Sequence, residues 1–297
     1  MEEALAWRDR YFEYLQFEKR YSAHTLTAYR IDLEQFFDFC AVRRYNPLQC
    51  DFRRVRQWLV SLPESGMTAR TVNRKITTLR GFYRFLLRRG AVSANPMEKS
   101  SLMKTGRRLP TVVAADRLRQ LFARDLETLE FAELRDLLIV ETLYFTGMRC
   151  AELIGLDEQD VDLKQLTVRV TGKRDKQRLI PLAPSFAGRL GYYLQQKRQQ
   201  AFSSASGAFF VLDSGSRLYA GKVYRVCRDM LYNVTMQDKR SPHVLRHSFA
   251  THMLENHAAL DAIKTLLGHA GLAATQVYTH NSLQTIKTVY KQAHPRA

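Results

Sequence analysis

Ser-Pro-His-Val-Leu-Arg-His-Ser-Phe-Ala-Thr-His, residues 241–252, is the stretch on which the reading of this chain turns. It is followed by Leu-Leu-Gly-His-Ala at residues 266–270 and by Tyr-Thr-His at residues 278–280. Arg stays cationic, His moves a proton near neutral pH, and a Tyr hydroxyl can act as a nucleophile. A phosphodiester asks for that set where no metal takes part. Fixed positive charges hold its non-bridging oxygens, proton carriers serve the attacking and leaving oxygens, and a hydroxyl attacks phosphorus. No cofactor and no metal are expected.

Working outward, the bulk numbers say what the rest of the chain handles. The 297 residues suffice for two domains, each with its own core. Lys and Arg number 46 against 29 Asp and Glu, a formal net charge of +17. Such an excess favours a polyanion, and nucleic acid over a merely soluble surface. The acidic start Met1-Glu2-Glu3 has no apolar core behind it, and no apolar run approaches ~18 residues. Neither a signal peptide nor a membrane partner is expected. Cys40, Cys50, Cys150 and Cys227 are scattered without a Cys-x-x-Cys pair, which argues for reduced thiols in a cytoplasm.

The first hundred residues read as helices. Leu26, Tyr29, Leu33, Phe36, Phe37 and Cys40 recur at helical steps, with Ser22 and Thr25 as candidate N-caps. A shorter helix runs through Val55, Trp58 and Leu59. A long amphipathic one then buries Val72, Ile76, Leu79, Phe82, Tyr83 and Leu86 and ends at Gly90. Its polar side carries Arg70, Arg74, Lys75, Arg80, Arg84, Arg88 and Arg89 and no acid, which suits a phosphate backbone better than a solvated face. Asn95-Pro96 ends the pattern. Residues 97–113 read as a basic interdomain linker, with Lys104, Arg107 and Arg108 lying along DNA. The expected domains are 1–96, helical and DNA-binding, and 114–297, catalytic.

Helical patterns resume at residues 115–122 and 134–145. Gly147 interrupts the second, and Arg149 stands where the next helix begins, beside free backbone N–H groups that suit an anion. Residues 166–170 and 178–182 flank Thr171-Gly-Lys-Arg-Asp-Lys-Gln as a β-hairpin, and a third short strand is expected at residues 208–212. The fold class is mainly α with a small β-hairpin or three-stranded sheet.

These blocks carry a resemblance. Thr146-Gly-Met-Arg149-Cys-Ala-Glu-Leu, the hairpin with Lys173 and Lys176-Gln-Arg178, then His243-x-x-Arg246-His, Leu267-Gly-His269 and Tyr278 stand in the order found in tyrosine recombinases. The match resembles most the Xer type, the bacterial chromosome-dimer resolution enzymes, leaning to the XerC side of a XerC/XerD-like pair. The resemblance implies that Arg149 and Arg246 clamp the scissile phosphate and that Tyr278 attacks it, leaving a 3′-phosphotyrosyl bond. Lys173 is the implied general acid, with Lys176 as the backup. His243 assists Tyr278 or binds the phosphate, and His269 hydrogen-bonds it. Each cationic donor at the developing charge is worth ~3–4 kcal/mol, so losing either Arg costs at least ~100-fold in cleavage. The resemblance also implies a two-domain C-clamp on duplex DNA with a specific recombination site and a homo- or hetero-tetramer with a related recombinase. It further implies a docking arm at residues 283–297 and a septal DNA translocase as activator. One departure is Arg174, where the family hairpin has Gly-Lys-Gly.

Other readings stay open. An integrase or transposase of a mobile element would use the same chemistry, a type IB topoisomerase similar groups, and a non-catalytic DNA-binding protein none of it. His243 and His247 have metal-binding spacing on a helix but lack a third ligand nearby. Glu152 is read as orienting a neighbouring cation, His247 and His252 as helix-packing or hydrogen-bonding residues, and Tyr144 and Tyr290 as core or surface aromatics.

Overall fold

The computed structural model describes residues 1–104, 106, 111–172, 176–202, 206–235, 239–268, 289–290 and 292–293. The chain divides into two compact units, Met1–Arg108 and Leu109–Ala297.

In the first unit α1 (Glu2–Glu13) runs into a π-helical turn (Tyr14–Glu18), and α2 (Ala23–Val42), α3 (Phe52–Glu64) and α4 (Ala69–Arg88) follow. Three of these helices start on a side-chain cap. Ser22, Asp51 and Thr68 each accept a backbone N–H three residues on, from Thr25, Arg54 and Thr71. Gly90, just past the end of α4, takes φ +71°, the left-handed conformation that ends a helix. The core joins Leu33, Phe36 and Cys40 of α2 with Val55 and Trp58 of α3 and Leu79, Phe82 and Leu86 of α4. Met97 is buried with them. Beyond it the chain stays on α4. Arg80 Nη2 donates to Ser100 O at 2.6 Å. The Asn73 amide holds both Met103 backbone groups, donating to O at 2.9 Å and accepting from N at 2.7 Å.

In the second unit α5 (Ala115–Phe122) leads to α6 (Phe131–Thr146), whose residues from Leu134 onward are almost all buried. A helix buried on nearly all sides is the one the others pack around, and its buried Arg135 and Glu141 are ion-paired there. Then come α7 (Cys150–Ile154), β1 (Val161–Asp162), β2 (Thr167–Thr171), β3 (Gln177–Pro181), α8 (Pro184–Arg198), α9 (Ala220–Met230), α10 (Pro242–Glu255) and α11 (Leu260–Leu267). The sheet is antiparallel in the order β1-β2-β3, with Val170 opposite Arg178. Its third strand is not the one expected. Residues 208–212 make only single bridges, Ala208 to Asp157 and Val211 to Arg217. Their apolar side chains instead fill the core from a loop, Phe209 and Phe210 packing on Tyr193. No helix among the described residues is long and apolar enough to cross a membrane.

Candidate active site

The site begins where α6 stops. Gly147 takes φ +59°, and a Cβ there would lie 2.5 Å from a ring carbon of Phe249 and 2.8 Å from a methyl of Leu267. Only glycine allows both this turn and this contact. The turn delivers Arg149 to the N-terminus of α7, where Glu152 one turn on reaches back to accept its backbone N–H at 2.8 Å. Glu152 Oε1 also accepts Arg149 Nη1 at 2.8 Å.

Arg178 approaches the same carboxylate from β3, Nη1 to Oε1 at 3.0 Å and Nη2 to Oε2 at 2.8 Å. Its Nε donates to Leu266 O at 2.7 Å. Burial would raise the Glu152 pKa, but the hydrogen bonds and charges of Arg178 and Arg149 outweigh it and hold the carboxyl below its ordinary value.

Arg246 comes from the second turn of α10. Its Nη1 donates to Gly147 O at 2.5 Å and its Nη2 to Leu267 O at 2.7 Å. Arg149 Nη2 reaches Gly268 O at 3.4 Å. The last carbonyls of α11 therefore meet three guanidinium groups, from α7, β3 and α10. Helix C-terminal carbonyls have no intrahelical donor and carry partial negative charge, which is why cations settle there. With one carboxylate among three guanidiniums, two positive charges remain in excess. Burial, with the Arg149 cation next, pushes Arg246 down to about 10. Charge crowded in this way is relieved by an anion.

His243 sits exposed in the first turn of α10, three residues before Arg246. His247 is exposed too. His252 is buried, its Nδ1 2.9 Å from the Tyr144 hydroxyl. Tyr290 is buried and donates to Phe145 O at 3.0 Å. Lys173, His269 and Tyr278 lie outside the described residues. Lys176, the alternative lysine, is exposed, and its carbonyl accepts Gly172 N–H at 2.8 Å across the hairpin base.

Arg178 is the residue of this cluster that the motif reading left without a role. A signal for it existed, since it falls in the buried phase of β3 together with Ile180, and an arginine there must find partners inside. The expected DNA-binding set needs one correction. Lys75 is not on the polar side of α4. It is 1% exposed, with Nζ 2.8 Å from Asp32 Oδ1 and hydrogen-bonded to Gln35. Helical spacing puts it on the inner face, where the α2 acid neutralises it. Arg70 and Arg84 are exposed, as is Lys104. Arg74 is partly exposed and 3.0 Å from Asp32, and Arg80 holds Ser100. Arg107 and Arg108 lie outside the described residues.

Two family models match this chain, the phage integrase family over residues 111–285 and the phage integrase N-terminal SAM-like domain over residues 9–90. Tyrosine recombinase XerC of Anoxybacillus flavithermus is 37% identical over 292 residues, spanning 97% of either chain. The chain belongs to the phage integrase family of tyrosine recombinases. Such a recombinase cuts DNA strands and rejoins them. Its fold is that of solved relatives. A XerH site-specific recombinase bound to palindromic difH substrate matches at TM-score 0.70 and 22% identity, over 89% of this recombinase and 78% of that chain. A lambda integrase tetramer bound to a Holliday junction matches at TM-score 0.66 and 18% identity, over 91% and 76%.

Proposed function

We propose that this recombinase acts on duplex DNA at a specific, dif-like site and resolves chromosome dimers in the cytoplasm. The observation that carries the cleavage reading is the convergence of Arg149 and Arg246 on adjacent carbonyls at one helix end. That brings two guanidiniums, 97 residues apart in sequence, within reach of one phosphate. Arg149 and Arg246 hold the non-bridging oxygens. The Tyr278 oxygen attacks phosphorus, the P–O5′ bond breaks, and a 3′-phosphotyrosyl ester forms. The phenolic proton leaves with the help of His243, and Lys173 protonates the departing 5′ oxygen. His269 hydrogen-bonds the phosphate. A 5′-hydroxyl from another strand then reverses the step, so bond energy is conserved and no ATP is needed. Excess positive charge suits this chemistry, because the phosphodiester gains a second negative charge as the phosphorane forms.

The exposed arginines of α4 lie along phosphates of the duplex. A tetramer on two sites, homomeric or with a related recombinase, exchanges the strands through a Holliday junction. A septal DNA translocase activates it. Support for DNA binding and a tetramer comes from the likeness to XerC over 97% of the chain and from the tetramer seen for lambda integrase.

Trapping covalent adducts on random genomic fragments and sequencing them identifies the site. One dif-like locus is the expected result. Mobile-element ends would favour the integrase reading instead. On a nicked suicide duplex carrying the recovered site, Tyr278→Phe binds but forms no adduct. A persisting adduct would mean another nucleophile.

A further inference from the structure

Arg178 lies outside the residues that face a phosphate. It is 6% exposed, and every one of its nitrogens is engaged inside the protein. Room for it is made by Gly268, where a Cβ would stand 3.1 Å from Arg178 Nη1 and 3.3 Å from its Cδ and Cζ. Gly268 also ends α11 at φ +65°, so both the helix stop and the packing of this guanidinium disfavour a side chain there.

Its partner explains why. Glu152 is buried and has two cations to satisfy it, Arg149 and Arg178. Arg149 spends one Nη1 hydrogen on the carboxylate and one Nη2 hydrogen on Gly268 O. Among the described residues, the other three of its five N–H groups take no partner. Without Arg178 the buried carboxylate would have Arg149 as its one remaining cation. A buried charge draws in the nearest counter-charge, and a fork-to-fork pair is the favoured geometry for Arg with a carboxylate. Arg149 would turn inward.

We propose that Arg178 is a positioning residue for strand cleavage. By occupying the Glu152 carboxylate it leaves Arg149 turned to the phosphate. By holding Leu266 O it fixes the helix end to which Arg149 and Arg246 are tied. The proposal rests on the reading that Arg149 and Arg246 hold the scissile phosphate.

Full-length Arg178→Met and Arg178→Lys are compared with wild type on the nicked suicide duplex. Affinity is read by gel shift and adduct formation by single-turnover rate, once with a phosphate and once with a neutral methylphosphonate at the scissile position. Arg178 is buried, so duplex affinity stays within about 2-fold of wild type. Arg178→Met slows the adduct about 100-fold on phosphate, and Arg178→Lys, which keeps charge but not the fork, about 10-fold. On methylphosphonate, where one negative charge is gone and less clamping is needed, both penalties shrink to a few-fold.

Equal slowing on the two substrates would reduce Arg178 to a structural residue and overturn the proposal, as would an unchanged rate on phosphate. Should Arg178→Met fail to melt cooperatively, the ratio for Arg178→Lys decides alone. If wild type yields no adduct, or Tyr278→Phe does yield one, the cleavage reading fails rather than the role of Arg178.

Discussion

Gly147 shows how much one missing side chain decides. Its carbonyl is a ligand of Arg246, its left-handed backbone ends α6, and Phe249 and Leu267 close over it. In Gly147→Ala a methyl must enter that contact at a positive φ. The expected cost is at least about 2 kcal/mol, read as a lower urea midpoint, and adduct formation drops with it because the Arg246 anchor moves. His252 makes a second residue-scale prediction. Burial lowers its pKa below the ordinary 6.5, with Glu255 opposing, and its ring meets the Tyr144 hydroxyl. The fold therefore binds this proton less well than the unfolded chain. The stabilisation is full above about pH 6.5 and is lost as pH falls from there towards the lower folded value. Urea midpoints at pH 7.5 and 5.5 should separate more for wild type than for His252→Gln. An equal separation would assign the acid sensitivity to another group.

Among elements, the pairing of α2 with α4 is the clearest case where spacing and chemistry disagreed. Lys75 looks cationic and polar in the sequence, but it sits one helical turn from Val72 and Leu79 on the inner side. There Asp32 accepts from Lys75 Nζ, Arg74 and Thr78 Oγ1. Asp32→Ala leaves the Lys75 ammonium buried with Gln35 as its remaining hydrogen-bond partner. The expected loss is roughly 3 kcal/mol, measured by chemical unfolding, since removing one partner of a buried pair strands the other charge. A loss near zero would mean that water reaches Lys75. The end of α11 is the matching device in the second unit. Arg178 and Arg246 grip its carbonyls from two elements, with Arg149 reaching from a third, so charge ties β3, α7, α10 and α11 together on top of the apolar core they share. The third strand was misplaced for a related reason. A short apolar run suits a buried strand, but whether it pairs as one depends on what lies beside it, and Phe209 and Phe210 lie beside Tyr193.

At the scale of the whole molecule the excess of 17 positive charges sets how it meets DNA. Arg70, Arg74 and Arg84 fall on one outward stripe of α4 at steps that helical geometry keeps aligned. Neutralising the three together should weaken duplex binding and flatten the slope of log affinity against log salt by about 2 to 3, near 0.9 per lost phosphate contact. Filter binding between 50 and 200 mM salt, as rough working limits, measures this. An unchanged slope would return the stripe to solvent.

The order of motifs, the helical periodicity and the charge balance by themselves determined the family chemistry and the mainly helical class. Those properties are local, written in residue type and spacing, and survive without knowledge of any long-range contact. Only the tertiary structure decided that Lys75 turns inward, that the third strand is Val161–Asp162, and that Glu152 is shared by two arginines. The placing of Lys75 and the sharing of Glu152 depend on groups 43 and 26 residues apart, and the fate of residues 208–212 on what fills a neighbouring surface. Burial and hydrogen-bond satisfaction are properties of the packed whole, so no single stretch of chain could announce them.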